Sequence, residues 1–257
     1  MTAVMSRYVA VMLHIARHSD GRVVLASIDR QHRRNAVDHA TLVELTSALD
    51  AAAQSSARVF VLTGSGGHFS AGADLTGVEG GAFQSALRQV LNTLEQIPLV
   101  TMVAVDGSCL GLGMQLAGFS DLRVATPTAR FGVPAAKLGL AIDIATATRI
   151  ERLCGAGCAR AMLLAAQTFS GVEAAGMGLA DRLGDLDTAL AWAAEIAELA
   201  PLTIAAHKAA LAAASDIGRG VLTEAAVAAF DRAWASEDLV EGRQAFMDKR
   251  TPKFVGR

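Results

Sequence analysis

The chain has 257 residues, of which 52% are hydrophobic and 19% charged, and its formal net charge is −2. This balance argues against nucleic acid as the main partner, because there is no cationic excess to neutralise phosphates. No apolar run reaches the ~18 residues of a membrane span, and the N-terminus lacks the features of a signal peptide. The three cysteines lack CxxC spacing, which favours reduced thiols and a cytoplasmic location.

The hydrophobic pattern predicts a strand-rich first two thirds of the chain. Strands are predicted over 8–15, 23–28, 59–63, 100–105 and 122–125, with a short strand around Phe131. Three helices are predicted in this part of the chain. The first covers 39–53 with Asp38 as its N-cap, the second runs from the glycine-rich stretch 77–81 to Ile97, and the third begins at 111–113. We therefore expect an α/β fold built from strand-strand-helix units.

The chain after Asp143 is predicted to be almost entirely helical. Its helices are interrupted at Gly155, Gly157, Gly184, Pro201 and 218–220. No low-complexity linker divides the sequence. We therefore predict a single domain over 1–257, with a mixed core to about residue 195 and a helical region over about 196–257.

Several common signatures are missing from the sequence. The glycines of 64–67 follow a strand but lack the GxGxxG spacing of a dinucleotide site. There is no phosphate-binding GxxxxGK[ST] loop, no GxSxG nucleophile elbow and no HExxH motif. Six scattered histidines do not predict a metal site, so we expect no bound metal.

Two turns rich in small residues follow predicted strands. The first is 68–75 (HFSAGADL) and the second is 104–117 (AVDGSCLGLGMQLA). Two free N–H groups, one of them at a helix N-terminus, could stabilise negative charge developing on a carbonyl oxygen. Either turn alone is better explained as a closely packed tight turn.

Five blocks in the same order give the sequence its family resemblance. They are 30–36 (RQHRRNA, similar to RPxxxNA with Gln31 in place of proline), 69–75, 106–121, 131–140 (FGVP and LGL) and 236–254 (SEDLVEGRQAFMDKRTPKF). Together they cover essentially the whole chain. The sequence resembles the enoyl-CoA hydratase/isomerase (crotonase) family.

The resemblance implies the ClpP/crotonase-like fold of repeated ββα units, with a C-terminal helical region that mediates trimerisation. It implies a homotrimer or a hexamer, and a role in fatty-acid metabolism. The ligand would be an acyl-CoA thioester, with coenzyme A as part of that ligand and no separate cofactor.

The resemblance also implies site residues. The oxyanion hole would be formed by the N–H groups of Ala73 and Leu112. The acyl-CoA site would be lined by His32, Arg33, Ala36, Ala71, Asp74, Leu75, Gly111, Pro134 and Leu138. Arg33 and His32 also suit an anionic phosphate on physical grounds. The basic run 30–34 is otherwise explained as a solvated loop.

The sequence departs from the family pattern at the positions of both catalytic glutamates. Gln115 stands at one and Ala135 at the other, and Leu112 replaces the middle glycine of the second turn. Hydration needs a base and an acid, whereas an amide cannot exchange a proton near neutral pH and a methyl group can do neither. The sequence therefore predicts weak or absent hydratase activity.

Asp143 is the remaining carboxylate near this region of the pattern. It is either the N-cap of a helix beginning at Ile144 or an acid/base group, since dienoyl-CoA isomerases of the family carry an aspartate in a similar sequence. Three hypotheses follow. The protein binds acyl-CoA and passes it to a lipid-metabolism partner, or it is an enoyl- or dienoyl-CoA isomerase using Asp143, or it is a hydratase with a rearranged site.

Overall fold

The structure is a computed structural model that describes residues 12–74, 76, 81–138, 140–215, 228, 232 and 235–257. Its strands are β1 (Leu13–His18), β2 (Val23–Ile28), β3 (Val59–Gly64), β4 (Val100–Val105), β5 (Ser108–Leu110), β6 (Leu122–Ala125), β7 (Arg130–Gly132), β8 (Thr168–Ser170) and β9 (Arg182–Leu183). Its helices are α1 (His39–Ala53), α2 (Gly81–Gln96), α3 (Leu112–Phe119), α4 (Ile144–Leu164), α5 (Gly171–Gly176), α6 (Leu186–Ile196), α7 (Pro201–Ser215) and α8 (Glu237–Asp248).

The described strands form two sheets. The larger has the order β1-β2-β3-β4-β6-β9, in which only the β1–β2 pair is antiparallel. The smaller has the order β5-β7-β8, with β5 parallel and β8 antiparallel to β7. Because β5 follows β4 almost directly, the chain passes from the first sheet to the second at Asp106-Gly107.

The two faces of the larger sheet pack against different layers. One face and the small sheet share a large core with α1, α2, α3 and α4, in which Phe60, Leu62 and Phe131 are fully buried. The other face packs against α6, whose Ala189 and Ala193 contact a second core. Since β3 and β4 are covered on both faces, they are apolar almost throughout.

The C-terminal part of the chain is joined to the rest of the structure by a buried lysine and a half-buried arginine. Lys208 on α7 donates hydrogen bonds to the carbonyl oxygens of Leu94 and Leu99, at 2.9 Å each, and pairs with Asp121 at 2.7 Å. Arg58 donates to the carbonyl oxygens of Ala197 and Phe254. These contacts fix α7 and the C-terminal segment against the core.

Local sequence signals explain most of the helix boundaries. Asp38 accepts a hydrogen bond from the Thr41 N–H at 2.8 Å and caps α1, as predicted. Ser170 and Glu173 form a reciprocal capping box at the start of α5. No single described helix is long and apolar enough to cross a membrane; α6 with most of α7 passes only as a pair bent by 109°.

Three sequence predictions need correction, and a fourth lies outside the described residues. The first strand begins at Leu13 and extends to His18 rather than ending at 15, because its outer residues face solvent at a sheet edge; 8–11 lie outside the described residues. The strands β8 and β9 were missed in a region predicted to be helical. Gly155 has a non-helical backbone at φ 78° and divides α4 into two helical stretches, as predicted, whereas Gly157 lies within the second stretch and does not interrupt it. The predicted break at 218–220 lies outside the described residues.

Candidate functional site

The two predicted turns lie against each other in the structure. Ser70 and Cys109 form a parallel bridge, in which the Leu110 N–H donates to the Ser70 carbonyl at 3.0 Å. Gly72 lies so near the second turn that a Cβ on it would be 3.2 Å from the Leu110 carbonyl oxygen and 3.8 Å from the Leu112 nitrogen. Its φ of 117° is also a conformation that only glycine adopts readily.

The beginning of α3 packs on the first turn through a glycine. A Cβ on Gly113 would lie 2.9 Å from both the Cβ and the carbonyl oxygen of Ser70. Gly111, at φ 53°, is the residue before the helix and donates its N–H to the Gly132 carbonyl at the end of β7. The turn, the helix start and the end of β7 therefore meet at one place.

The N–H groups of Ala73 and Leu112 are among the backbone donors without partners at this junction. The Val37 N–H donates to the Gly72 carbonyl and the Asp74 N–H to the Val37 carbonyl, at 2.8 Å each, so the bridge does not use the Ala73 N–H. Leu112 is the first residue of α3, and the N–H at that position has no intrahelical partner. Among the described residues neither N–H donates a hydrogen bond, so both are available to an acceptor.

Asn35 holds the loops of the site together, a role that the sequence did not reveal beyond its place in the first block. It is fully buried and lies in the left-handed region at φ 56°. Its side chain accepts from the Arg30 N–H and donates to the carbonyl oxygens of Ser65 and His68. Three backbone groups in two loops are thereby fixed by one amide.

The basic run 30–34 divides into a buried and an exposed part. His32, Arg33 and Arg34 are exposed, as a solvated loop or an anion site requires. Arg30 is 7% exposed and forms ion pairs with Asp38 and Asp74, at 3.1 and 2.9 Å. The solvated-loop interpretation is therefore wrong for Arg30.

Asp74 is buried, and both of its carboxylate oxygens have partners. Thr76 donates to one through its hydroxyl and its N–H, and Arg30 donates to the other. The hydrogen bond from the Thr76 hydroxyl, followed by that from Arg30, lowers the pKa of Asp74 to about 2. Its side chain therefore stabilises the turn as a carboxylate.

The other predicted lining residues differ in exposure. Ala36 and Ala71 are half-buried in the two loops around Asn35, and the Ala71 N–H donates to the Arg34 carbonyl. Pro134 begins a 3-10 turn over Pro134–Leu138 just after β7, and Leu138 is 55% exposed. Leu75 lies outside the described residues.

Gln115 and Asp143 are connected through one buried threonine. The Thr146 hydroxyl donates to the Gln115 side-chain oxygen at 3.4 Å, and the Thr146 N–H donates to Asp143 at 2.8 Å. Asp143 is exposed and is the N-cap of α4, as one of its two interpretations predicted. Ala135 is half-buried against the large core and offers no polar group.

The cysteine at this junction is not a candidate nucleophile. Cys109 is fully buried in β5, and burial raises the pKa of its thiol far above its usual range. A thiol of this kind stays protonated at neutral pH and behaves as a small apolar side chain. The described residues also include no group of three or more His, Cys, Asp or Glu placed to hold a metal.

A family model described as enoyl-CoA hydratase/isomerase matches residues 19–257. The chain belongs to this family. Two curated relatives named "Probable enoyl-CoA hydratase echA6", from Mycobacterium bovis and Mycobacterium tuberculosis, are each 42% identical over 238 residues, covering 91% of this chain and 96% of the relative. The 2,3-dehydroadipyl-CoA hydratase of Escherichia coli K12 is 33% identical over 247 residues, covering 92% and 96%.

Solved structures of the enoyl-CoA hydratase/isomerase family share the fold. An enoyl-CoA hydratase/carnithine racemase from Magnetospirillum magneticum is 28% identical with a TM-score of 0.87, and the match covers 96% of each chain. An enoyl-CoA hydratase/isomerase structure from Mycobacterium abscessus is 32% identical with a TM-score of 0.82, covering 96% of this chain and 99% of the other. The predicted crotonase fold is confirmed.

Proposed function

We propose that this protein binds acyl-CoA thioesters and hydrates 2-enoyl-CoA weakly or not at all. The family acts on acyl-CoA thioesters, and several of the relatives are named as CoA-ester hydratases. Thioester binding is supported by the N–H groups of Ala73 and Leu112, which have no hydrogen-bond partner among the described residues. Together they would form the oxyanion hole. Exposed His32 and Arg33 suit the phosphates of coenzyme A.

The proposal depends on the residues at the two positions where hydratases of the family have their catalytic glutamates. Gln115 is an amide hydrogen-bonded to Thr146, and Ala135 is a methyl group packed on the core. Neither can take a proton from water or give one to carbon. The site therefore retains the elements for thioester recognition without the pair of groups that hydration requires.

Calorimetry with octanoyl-CoA and octanoic acid tests the binding half of the proposal. We expect specific binding of the thioester and much weaker binding of the free acid, because only the thioester has the CoA group. Equal binding of both, or binding of neither, would refute it.

A second candidate function is double-bond isomerisation, favoured by the position of Asp143. Its exposed carboxylate is joined to Gln115 through Thr146, which places an ionisable group beside one of the lost glutamate positions. Isomerisation needs a proton shuttle between carbons and no activated water, so a single carboxylate suffices.

Solvent deuterium uptake into a 3-enoyl-CoA separates the two functions. Asp143→Asn is the matched variant, since asparagine also caps helices and leaves α4 in place. Uptake by the wild type that this variant abolishes would establish the isomerase. No uptake by the wild type would leave Asp143 as a cap and favour the binding module.

The remaining features are proposed from the family. The assembly is a homotrimer or a hexamer in the cytoplasm, with 196–257 as the trimerisation region and no separate cofactor. As a binding module it would pass its ligand to a partner in lipid metabolism. Light scattering that finds a monomer at micromolar concentration would contradict the assembly.

A further inference from the structure

Arg30 is a buried cation that connects the two chain segments flanking the Ala73 turn. Its Nη2 lies 2.9 Å from Asp74 and 3.1 Å from Asp38, and its Nη1 donates to the Ala36 carbonyl. The side chains of Arg30 and Asp74 are 9% and 8% exposed. Buried pairs of this kind are screened little by solvent and are sensitive to the loss of either partner.

Arg30 contacts both chain segments that pair in the Val37–Ala73 bridge. On one side it holds Ala36 and Asp38, the two neighbours of Val37. On the other it holds Asp74, the residue after Ala73. Because Val37 bonds to the peptide groups before and after Ala73, the direction of the Ala73 N–H depends on how these two segments are held together.

The charge of Arg30 also matters to an anion bound at this turn. Asp74 is ionised at neutral pH and is adjacent in sequence to Ala73, so an unpaired carboxylate there would repel negative charge on a thioester oxygen. Arg30 offsets that charge from the buried side. Arg30 therefore affects the Ala73 donor in two ways, through the direction of its N–H and through the charge beside it.

We propose that Arg30 is a positioning residue for the thioester carbonyl, acting through Asp74 and the Val37–Ala73 bridge to direct the Ala73 N–H. The inference rests on the proposed function, since it assumes that the ligand's carbonyl oxygen binds at this N–H. It predicts that Arg30 governs recognition of the carbonyl and has no direct part in binding coenzyme A.

Two ligands that differ only at the carbonyl provide the test: octanoyl-CoA and S-octyl-CoA, a thioether without the oxygen. Calorimetry gives the ratio of their affinities for the wild type, Arg30→Gln and Arg30→Lys. We expect Arg30→Gln to lower the ratio by about three- to tenfold, the value of one hydrogen bond, with thioether affinity unchanged. Arg30→Lys keeps the charge without the planar fork and should restore part of the ratio.

Arg123→Gln is the matched control. Arg123 is 4% exposed, pairs with Asp181 at 2.9 Å and donates to the Leu179 carbonyl. It also donates to the carbonyl oxygens of Ala117 and Ser120 at the far end of α3, away from Leu112 and from the Ala73 turn. Its loss should lower stability and leave the affinity ratio at the wild-type value. If Arg30→Gln is not recovered folded, Asp38→Asn takes its place. It weakens the hold of Arg30 on the Val37 side, leaves Asp74 charged and keeps a cap on α1, so it is expected to lower the ratio as well.

The outcomes separate this inference from the proposed function. A wild-type preference for octanoyl-CoA that survives Arg30→Gln, or Asp38→Asn in its place, would overturn the inference alone. A ratio that falls equally in Arg123→Gln would also overturn it, because general destabilisation would then be the cause. Equal wild-type affinities for the two ligands would overturn thioester recognition and the inference together.

Discussion

Replacing Gly113 by alanine adds a methyl group where α3 touches the Ala73 turn. The new Cβ would lie 2.9 Å from the Cβ and the carbonyl oxygen of Ser70, closer than carbon atoms approach in folded proteins. Ser70 cannot easily yield, because its carbonyl accepts from the Leu110 N–H and its hydroxyl donates to the Asn35 carbonyl. The start of α3 must therefore move, and with it the Leu112 N–H.

Gly118 in the same helix provides the matched comparison for this change. A Cβ there would meet only Arg149 Cγ at 3.6 Å and Leu153 Cδ1 at 3.9 Å, which are ordinary contacts. Both variants gain up to ~1 kcal/mol from the helix preference of alanine over glycine. Overpacking typically costs about 1–3 kcal/mol, so Gly113→Ala should be less stable than Gly118→Ala by about that amount.

Urea unfolding followed by circular dichroism measures the difference, with equal slopes confirming that both variants unfold as the wild type does. Gly118→Ala is expected to be as stable as the wild type or slightly more stable. Octanoyl-CoA should bind Gly113→Ala less tightly, because the Leu112 N–H, one of the two proposed donors to the thioester carbonyl, would be displaced. Equal stability of the two variants would refute the close packing of the turns.

Three further predictions concern single side chains. Asn35→Ala should lose about 2–4 kcal/mol of stability in urea, because three backbone groups lose their partners; wild-type stability would contradict this. Asp143→Ala should lose about 1 kcal/mol as a missing cap, whereas Asp143→Asn should not; equal losses in urea would exclude capping. The stabilisation from Asp74, whose pKa is lowered, is fully present above pH ~4 and lost as pH falls towards 2. Acid titration of Asp74→Asn should therefore show a smaller loss over this window, and an unchanged profile would contradict the lowered pKa.

Elements with strong local signals were predictable from the sequence. Helix α1 has the predicted bounds because Asp38 caps it and its apolar residues repeat every three to four positions. Strands β4 and β6 also match, since buried parallel strands are short apolar runs bounded by polar or glycine residues. By contrast, β8 and β9 have three and two residues, too few for any periodicity, and exist through pairing with β7 and β6.

The site was predictable where it depends on a motif and not where it depends on distant partners. The family resemblance, which depends on local motifs such as these two turns, placed the expected donors at Ala73 and Leu112. The burial of Arg30 was not visible among neighbouring basic residues, since its partner Asp74 is 44 positions away. Likewise, the link from Gln115 to Asp143 requires Thr146, which only the packing of α4 on α3 brings near.

The central claim is that thioester recognition persists without hydration, and turnover of crotonyl-CoA tests it most directly. The assay follows loss of absorbance of the conjugated thioester at a protein concentration where binding is established by calorimetry. We expect turnover to be slower than that of a family hydratase with both glutamates, by ~10²–10⁴-fold for each missing acid or base. Turnover comparable to such a hydratase would show that other groups replace Gln115 and Ala135, and would contradict the account.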